Sequence, residues 1–535
     1  MIHAASGPQG QLWSDGNPTS DGLTRREYLA GAAALALTAG SGMVQAATTA
    51  PTRAPVPLKG GHLVMGLSGA NPSDRLDPAS HVGSFMTNLA AQYSDTLTTI
   101  SELYQVRPAL ATSWDARPGA AEWTIKLRRG VIFHNGKELT AADVIHSINH
   151  HRNPATKSVA YPLVAAITDI WDSDKYEVTI ALDGGNADLP YLLADQHLAI
   201  HPDQSDFADG IGTGAFVLET FKPGVRGAVR RNPNDWRSDR GHLAAVDTVA
   251  IADPAERLFA VQSGVVHIVD RVDPRALAGL DRRANPQVFN TAGSAYASFA
   301  MFADTPPFDR NDLRLALKFV IDRSAIVNTA LGGGAKVAND HPIPSFHPFH
   351  ASDIPQRSFD PDRARFHYRQ SGHRGALRLA VADAAFPGAV EVAKVFQASA
   401  AKAGITIEVT RAASEGYWSE VWLKQPFAGA YWPGRMTADE MLSSAFASTS
   451  PSNDSHWNSP RFDELLLAAR AELDAAKRKR MYRDMQVMLH NESGAVIPCF
   501  YNNIVVAHQR VRGYVPHPAH DMSGFRAAEK LWFAT

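Results

Sequence analysis

The sequence contains a single cysteine, Cys499, among 535 residues. A lone thiol excludes an intramolecular disulfide framework and any metal site built from several cysteines. Charge of one sign is not in excess either, because 52 basic side chains stand beside 54 acidic ones and the formal net charge is -2. A balanced charge gives no electrostatic footprint for nucleic acid or an anionic membrane surface. We therefore expect a globular protein without a nucleic-acid partner.

The common catalytic signatures are also missing. The chain has no G-x-S-x-G or H-E-x-x-H segment, and its thiol has no adjacent imidazole. Gly332-Gly333-Gly334 lacks the second half of a P-loop, and Gly212-Thr213-Gly214 is not followed by a dinucleotide fingerprint. His146 and His150 have the spacing of metal ligands on a helix, but without a third partner a solvated helix face is the simpler interpretation. We predict no enzyme activity, no cofactor and no bound metal.

A hydrophobic run strong enough to anchor the chain is missing as well. The run Ala30–Val44 is short and rich in alanine, whereas a membrane span needs about 20 strongly apolar residues. It follows the pair Arg25-Arg26 and ends at Val44-Gln45-Ala46, whose small residues suit a signal peptidase. Residues 1–46 are therefore predicted to be an export signal of the twin-arginine type. We expect a soluble periplasmic protein without a lipid anchor, beginning with a flexible lead-in at 47–58.

The stretch from Arg107 to Asn149 carries the clearest local pattern. Apolar and polar residues alternate from Trp123 to Leu127, which predicts a half-buried strand. His134-Asn135-Gly136 tolerates positive φ, so the chain is expected to reverse there. Thr140 and Asp143 have the spacing of a capping box at the start of a helix. Periodicity alone indicates an ordinary strand, turn and helix.

The letters of this stretch also carry a resemblance. The segment LRRGVIFHNGKELTAADVIHSI, from Leu127 to Ile148, is similar to the signature of the family 5 extracytoplasmic solute-binding proteins. These are receptors of ABC importers for dipeptides, oligopeptides, nickel chelates, opines and related solutes. Other segments that match the family are Leu76–Ala79, Ser94–Leu97, Pro108–Trp114, Gly212–Leu218, Arg231–Trp236 and Phe308–Asp322. The resemblance covers the chain from Gly60 onwards.

The resemblance implies a fold and a domain order. The fold is the α/β, two-lobed periplasmic-binding-protein fold with the extra third domain of the peptide-binding class. The implied boundaries are lobe I at 59–100, 206–291 and 500–535, the additional domain at 101–205, and lobe II at 292–499. Strands are further predicted at Gly60–Ser68, Tyr176–Leu182 and Ile405–Val409, and helices at Phe308–Asp322, at Glu391–Ala403 and from Pro460 onwards.

One departure from the family pattern bears directly on the ligand. Peptide-binding relatives carry an aspartate, shortly after a tryptophan, that pairs with the α-amino group of the peptide. In the matching segment Tyr431-Trp432-Pro433-Gly434-Arg435 an arginine takes that place. A guanidinium in a closed cleft favours a carboxylate or phosphate, so we predict that the solute presents an acidic group to Arg435. Two alternatives stay open: Arg435 turns to solvent, or the alignment is one residue off and Asp439 or Glu440 supplies an acidic anchor.

Aromatic side chains supply most of the contact area in such clefts. With Arg435, the candidate ligand-binding residues are Tyr431, Trp432, Gly434, Tyr296, Ser84, Phe85 and Trp418; core or interlobe packing is the alternative for each aromatic one. The implied partners are a small solute (a peptide, an opine or similar) and the permease subunits of an ABC importer at the inner membrane, with the receptor a monomer. Alternatives are a nickel chelate or other non-peptide solute, an exported enzyme on the same scaffold, and a chaperone or sensor domain.

Overall fold

The computed structural model describes residues 56–280 and 285–534. The predicted export signal and residues 47–55 of the lead-in lie outside these ranges. Over the described part of the chain, no helix combines the length and the apolar character that crossing a bilayer requires.

The described chain contains both strands and helices. The strands are β1 His62–Leu67, β2 Thr98–Ile100, β3 Val106–Pro108, β4 Ala111–Ala116, β5 Glu122–Leu127, β6 Ile167–Asp174, β7 Glu177–Leu182, β8 Phe216–Lys222, β9 Arg226–Arg231, β10 Ala245–Ala250, β11 Ile268–Val269, β12 Gln287–Met301, β13 Ala335–Val337, β14 Leu377–Val381, β15 Ile407–Arg411, β16 Phe427–Trp432, β17 Ala495–Ala507, β18 Val511–Arg512 and β19 Trp532–Phe533. The helices are α1 Gly83–Tyr93, α2 Ala141–Arg152, α3 Tyr161–Val164, α4 Leu189–Leu192, α5 Pro254–Gln262, α6 Asn311–Val320, α7 Arg323–Ala325, α8 Pro361–Ser371, α9 Ala389–Ala401, α10 Tyr417–Glu420, α11 Ala438–Phe446, α12 Pro460–Ala471, α13 Ala475–Glu492 and α14 Ala527–Lys530.

One sheet runs through both lobes, in the order β15-β14-β16-β12-β17-β11-β1-β10-β9-β8, with β13 added beside β17. Strands β8 to β11 and β1 form its lobe I half, and β14 to β16 form its lobe II half. The long strands β12 and β17 are antiparallel partners from Gln287 opposite Ala507 to Ala300 opposite Ala495. Their register shifts between Ala292 and Tyr296, where a bulge bends the pair. The two lobes therefore share a pair of crossing strands.

Separate hydrophobic cores support the two lobes and a third domain. Lobe I packs around side chains such as Met65, Phe85 and Phe216, all without solvent exposure. Lobe II packs around Phe299 and Phe396. A further cluster joins α2 to the separate four-stranded sheet β4-β5-β7-β6. The structure thus has the predicted fold class, two α/β lobes with an extra third domain.

The signature stretch folds as its local pattern predicts. Strand β5 is followed by a turn at Gly136, whose φ of 88° favours glycine. The capping box is present, with Thr140 accepting from the Asp143 amide and the Asp143 carboxylate accepting from the Thr140 amide. The same carboxylate also accepts from the amide of Asp203 at 2.8 Å. The cap therefore holds a distant loop as well as starting α2.

The other predicted elements are present with shifted ends. Strand β1 begins two residues later than predicted, because Gly60 and Gly61 have φ of 115° and 85°. Strand β15 is displaced by two residues from its predicted position, because a turn containing Gly404, with φ of 74°, follows α9. The helix at Pro460 begins as predicted, with Ser459 accepting from the amide of Phe462.

A buried ionic network surrounds Asp95, which lies in the family segment Ser94–Leu97. Asp95 is 1% exposed and receives a bidentate pair from Arg240, at 2.7 and 2.8 Å. Trp236 Nε1 donates to it at 3.0 Å, and Arg526 lies at 3.3 Å. Burial alone raises the pKa of Asp95, but the two arginines and the tryptophan outweigh it and hold the pKa well below its usual value. These contacts connect the segment that follows α1 with the C-terminal segment; we call them the Asp95 network.

We expect Asp95→Asn to destabilise the protein strongly. Removing one partner of a buried ion pair costs about 3–5 kcal/mol because the other charge is left uncompensated. The pKa of Asp95 is depressed in the folded state, so its contribution is present above the unfolded pKa of about 3.9 and is lost as pH falls through the folded pKa. Urea unfolding at pH 7 and pH 3 measures both effects.

The matched control is Asp239→Asn, because Asp239 pairs with Arg237 while its side chain is 70% exposed. We expect it to change the free energy of unfolding by less than about 0.5 kcal/mol. Equal urea midpoints for the two variants at pH 7 would contradict a structural role for the Asp95 network.

Candidate functional site

The edges of the two half-sheets position the candidate site. Strand β1 pairs in parallel with β10 and β11, and in lobe II β14 pairs in parallel with β15 and β16. Ligands of open α/β sheets bind outside the carboxyl ends of such strands. In lobe I these ends carry Ser68, Asp270 and Arg271, and in lobe II the end of β16 leads directly into Pro433 and Arg435.

The loop from Pro433 to Met436, which we call the β16 loop, is held close to the crossing strands. A Cβ atom on Gly434 would lie 1.9 Å from Oγ and 2.9 Å from Cβ of Ser294 in β12, so a side chain at this position would require Ser294 to move. The loop ends where Thr437 caps α11 by accepting from the amide of Glu440 at 3.0 Å. The glycine and the cap together fix where the intervening Arg435 stands.

Arg435 is neither buried nor fully turned to solvent. Its side chain is 32% exposed, and its Nε lies 3.5 Å from Oε1 of Glu440. Burial raises the pKa of Glu440 to about 7, with Asp195 adding to the rise and Arg435 opposing it. The charge of Arg435 also reaches the buried Tyr296, where it opposes the rise in pKa that burial causes. A cation with one loosely held acidic partner can exchange that partner for an anionic solute.

Tyr431 and Trp432 point to opposite faces of the sheet, as consecutive strand residues do. Trp432 is 5% exposed in a lobe II core, and its Nε1 donates to Asp454 at 3.0 Å. Tyr431 is half-buried, and its ring lies 6.1 Å from that of Tyr501 in β17. Lobe I charges act on Tyr431: after burial, which raises its pKa most, Arg271 lowers the pKa of Tyr431 and Asp521 raises it.

The remaining predicted residues lie behind or beside this edge. Ser84 and Phe85 are buried in lobe I at the start of α1, where the amide of Phe85 donates to Ser68 at 3.1 Å. Tyr296 is fully buried in β12, and its hydroxyl has no hydrogen-bond partner within the described ranges. Trp418 is 43% exposed beyond the carboxyl end of β15, edge-on to the ring of Trp422. Their contact with a solute stays a prediction.

Two groups that close over the β16 loop were not predicted from the sequence. Tyr104 is 1% exposed, and its hydroxyl lies 2.6 Å from the carbonyl of Met436 and 3.2 Å from that of Arg435. His520, from the C-terminal segment, places Nε2 2.8 Å from Sδ of Met436. Groups from three parts of the chain therefore meet at Met436. Neither residue belongs to a sequence motif. Both contacts depend on tertiary packing, so the sequence alone did not indicate them.

The histidine pair and the glycine-rich segment that the sequence analysis considered make contacts within the protein. His146 and His150 stack on Phe207, with ring centroids 4.7 and 3.7 Å away, and His150 also contacts Asp77 at 2.8 Å. Over residues 56–280 and 285–534 no group of three or more histidine, cysteine or acidic residues has the arrangement of a metal site. A Cβ on Gly212 would lie 2.1 Å from the carbonyl oxygen of Tyr93, so this glycine allows a close approach of two backbones.

Two lobes on shared crossing strands, with polar groups at the ends of their strands, are the arrangement expected of a protein that binds a solute between its lobes. The family is shown by comparison: the bacterial extracellular solute-binding proteins, family 5 (middle region), match residues 105–454. The chain belongs to this family. The resemblance predicted from the sequence is confirmed, and the protein is a solute-binding receptor of the kind that serves ABC importers. Members of the family are binding proteins rather than enzymes and act outside the cytoplasm.

Individual relatives agree with the family over most of the chain. Heme-binding protein A of Haemophilus influenzae is 24% identical over 456 residues, which cover 77% of this chain and 82% of that protein. The dipeptide-binding protein of Escherichia coli is 24% identical over 462 residues, covering 77% and 84%. Among solved structures, HbpA2 from Haemophilus parasuis is similar with a TM-score of 0.78 at 21% identity, over 89% of this chain and 100% of that one. The structural likeness supports the fold.

We expect Tyr104→Phe to loosen the β16 loop without unfolding the protein. The change removes the hydrogen bond to Met436 and keeps the ring, so it costs about 1 kcal/mol. Hydrogen exchange of the amides from Gly434 to Thr437 should therefore become faster. Tyr368→Phe is the control, because its hydroxyl bond to Gly375 is exposed and 3.4 Å long. Unchanged exchange in the Tyr104 variant would show that this hydroxyl does not hold the loop.

Proposed function

We propose that the protein captures a peptide or peptide-like solute with an acidic group between its two lobes and delivers it unchanged to the permease subunits of an ABC importer. The observation that carries this proposal is Arg435 beyond the carboxyl end of β16, one-third exposed, with Glu440 3.5 Å away. At that separation the existing pair is weak, and a carboxylate that approaches the guanidinium as a fork would bind it more strongly.

The relatives support the same solute chemistry. They include proteins named for the binding of dipeptides and of heme, and both molecules carry carboxylate groups. In peptide-binding relatives an aspartate of lobe II holds the amino end of the peptide. With Arg435 in that place, lobe II would hold the carboxylate end of the solute. Arg435, Tyr431 and Gly434 are the residues that we infer to contact it, with Trp432 supporting them from the core.

Capture and release follow from a closing motion about the crossing strands. The contacts of Met436 with Tyr104 and His520 belong, in this proposal, to the closed form. A solute shifts the equilibrium towards the closed form. The size of the shift equals the difference between its binding free energies for the closed and the open form. We infer lobe boundaries at 59–100, 206–291 and 500–535 for lobe I, 101–205 for the third domain and 292–499 for lobe II, supported by the sheet order. Export through a twin-arginine signal at 1–46 and a monomeric state complete the proposal.

We expect Arg435→Ala to weaken binding of an acidic solute by about 2–5 kcal/mol, because the solute carboxylate then loses its buried charge partner. A thermal-shift screen of the purified protein against peptides, opine-like acids and metal chelates identifies the solute, since a ligand at 100 times its Kd adds about 2.7 kcal/mol of stability. Titration calorimetry then compares the variant with the wild type.

Arg378→Ala is the matched control for this measurement. Arg378 lies near the amino end of β14, with its side chain 83% exposed and 3.7 Å from Glu408. We expect it to leave the Kd unchanged. If Arg435→Ala also left the Kd unchanged, the acidic anchor would be ruled out, whereas receptor function would be rejected by turnover of the bound solute.

The affinity for an acidic solute should rise as pH falls from 8 to 6. Glu440 has a pKa of about 7, raised first by burial and then by Asp195 and Asp439, so it is ionised at pH 8 and competes with the solute for Arg435. At pH 6 it is mostly protonated, while a solute carboxylate near its ordinary pKa stays ionised. One linked proton changes the Kd by at most about tenfold per pH unit. Glu440→Gln should bind as tightly at pH 8 as at pH 6, and a persistent pH dependence would assign the effect to another group.

A further inference from the structure

A second pocket lies at the amino edge of the lobe I half-sheet, away from the candidate site. His62 begins β1, His267 directly precedes β11, and His508 directly follows β17, which runs antiparallel to β11. The candidate site lies beyond the opposite ends of β1 and β11, so the length of β1, about 20 Å, separates the two places. The pocket has a volume of about 330 Å³, and the side chains that line it include His62, His267, His508, Arg510 and Phe533.

Backbone hydrogen bonds fix the tautomer of two of these histidines. Nδ1 of His267 accepts from the amide of Val64 at 2.9 Å, and Nδ1 of His508 accepts from the amide of Arg510 at 3.2 Å. A ring nitrogen that accepts a hydrogen bond carries no proton, so the proton of each neutral ring is on Nε2. Both side chains are half-exposed, and neither Nε2 is among the buried atoms that lack a partner. Each ring can therefore offer the pocket an N–H donor but not a lone pair.

The groups around these donors are cationic. Burial lowers the pKa of His267, and the charges of His508, His62 and Arg510 lower it further. No acidic side chain is among the described residues that line the pocket; Asp247 contacts His62 at 3.2 Å but lies outside the lining. His267 is thus neutral at pH 7 and keeps its Nε2 proton in positive surroundings.

Arg510 adds a charged donor whose position is supported on two sides. Its guanidinium carbon lies 5.9 Å from the centre of the Phe533 ring, within the range of a cation–π contact. Its carbonyl accepts from the amide of Ala534 at 2.8 Å. The ring of Phe533 also meets that of His267 edge-on, with centroids 5.0 Å apart. One aromatic ring therefore supports both the guanidinium and the imidazole.

We propose that this pocket binds a tetrahedral oxyanion, a phosphate or sulfate group, with Arg510 supplying the charge and Nε2 of His267 and of His508 donating to its oxygens. A guanidinium binds such a group as a fork. A tetrahedral anion also presents oxygens in several directions, which suits donors from different segments of the chain. A divalent metal ion fits poorly, because coordination through Nε2 would move the proton of His267 to Nδ1, against the amide of Val64.

Calorimetric titration with inorganic phosphate tests the site, with chloride holding the ionic strength constant so that screening does not change. Wild-type protein should bind one equivalent with a Kd of about 1 mM or below. Arg510→Gln should weaken binding about tenfold or more. His267→Asn should do the same, because its amide oxygen can still accept from Val64 while the Nε2 donor is lost. Arg230→Gln is the matched control, since Arg230 is an exposed lobe I arginine 3.3 Å from Glu219, and it should keep the wild-type Kd.

A free ion and a lipid headgroup both carry the phosphate group, and vesicles distinguish the two sources. If phosphatidic acid vesicles pellet the wild type but not Arg510→Gln, while phosphatidylcholine vesicles pellet neither, the group is that of a headgroup. Binding of inorganic phosphate without pelleting assigns the free ion.

The inference is overturned if the wild type binds neither form of phosphate, or if Arg510→Gln and His267→Asn both keep the wild-type affinity. It is also overturned if Arg435→Ala abolishes phosphate binding, because the ion would then lie in the solute cleft. Saturable binding of Zn²⁺ or Ni²⁺ that His267→Asn removes would require the other tautomer and would reject the oxyanion.

A measurement on the unmodified protein tests the donors even if a variant does not fold. Nitrogen NMR of protein labelled in histidine distinguishes protonated from unprotonated ring nitrogens. Near neutral pH, His267 and His508 should each show a protonated Nε2 and an unprotonated Nδ1, and added phosphate should shift the Nε2 signals more than the Nδ1 signals. A protonated Nδ1 in His267, or signals that phosphate leaves unchanged, would contradict the proposed site.

Discussion

The pairing of β12 with β17 is the constraint on which the rest of the molecule depends. Both strands belong to the cores of both lobes, so neither lobe can leave the other without breaking the sheet. Their register shift between Ala292 and Tyr296 concentrates bending where side-chain packing changes from one core to the next. Gly293 meets the carbonyl oxygen of Tyr501 there, at 2.5 Å from an added Cβ. The two lobes are therefore joined through one continuous pair of strands.

Local signals in the sequence were sufficient for much of the fold. The capping box of Thr140 and Asp143, the turn at Gly136 and the cap at Ser459 each involve residues a few positions apart. Such interactions depend on the backbone of one segment, so their pattern is visible in the letters. The ends of strands are less visible, because a strand continues only as far as its neighbour does, and β15 shows this with its displacement by two residues.

The candidate site was predicted in part, for the same physical reason. Tyr431 and Arg435 lie on one loop at the end of one strand, so a single family segment carries both. Tyr104, Arg271 and His520 come from three other segments, separated by up to hundreds of residues, and only the folded chain brings them towards that loop. No periodicity or motif marks them, since each is surrounded by an ordinary local pattern.

Four acidic side chains of the protein fall into two groups, which differ in how closely arginines compensate their charge. Asp95 and Asp340 are buried between pairs of arginines, which outweigh the effect of burial and lower their pKa values. Among the described residues, the half-buried Glu440 and the buried Asp521 each have one arginine at 3.5 Å or more, and burial raises their pKa values. Close pairing suits a framework that keeps one arrangement, because breaking such a pair is costly.

Loose pairing suits a surface whose partners must change. An arginine that already held a bidentate carboxylate would gain little from a solute, and the solute would have to displace a strong partner before binding. Under the proposed function, Glu440 at 3.5 Å from Arg435 compensates the cation only weakly and can yield it to a solute carboxylate at small cost. The raised pKa values of Glu440 and Asp521 follow from burial that one distant arginine does not offset.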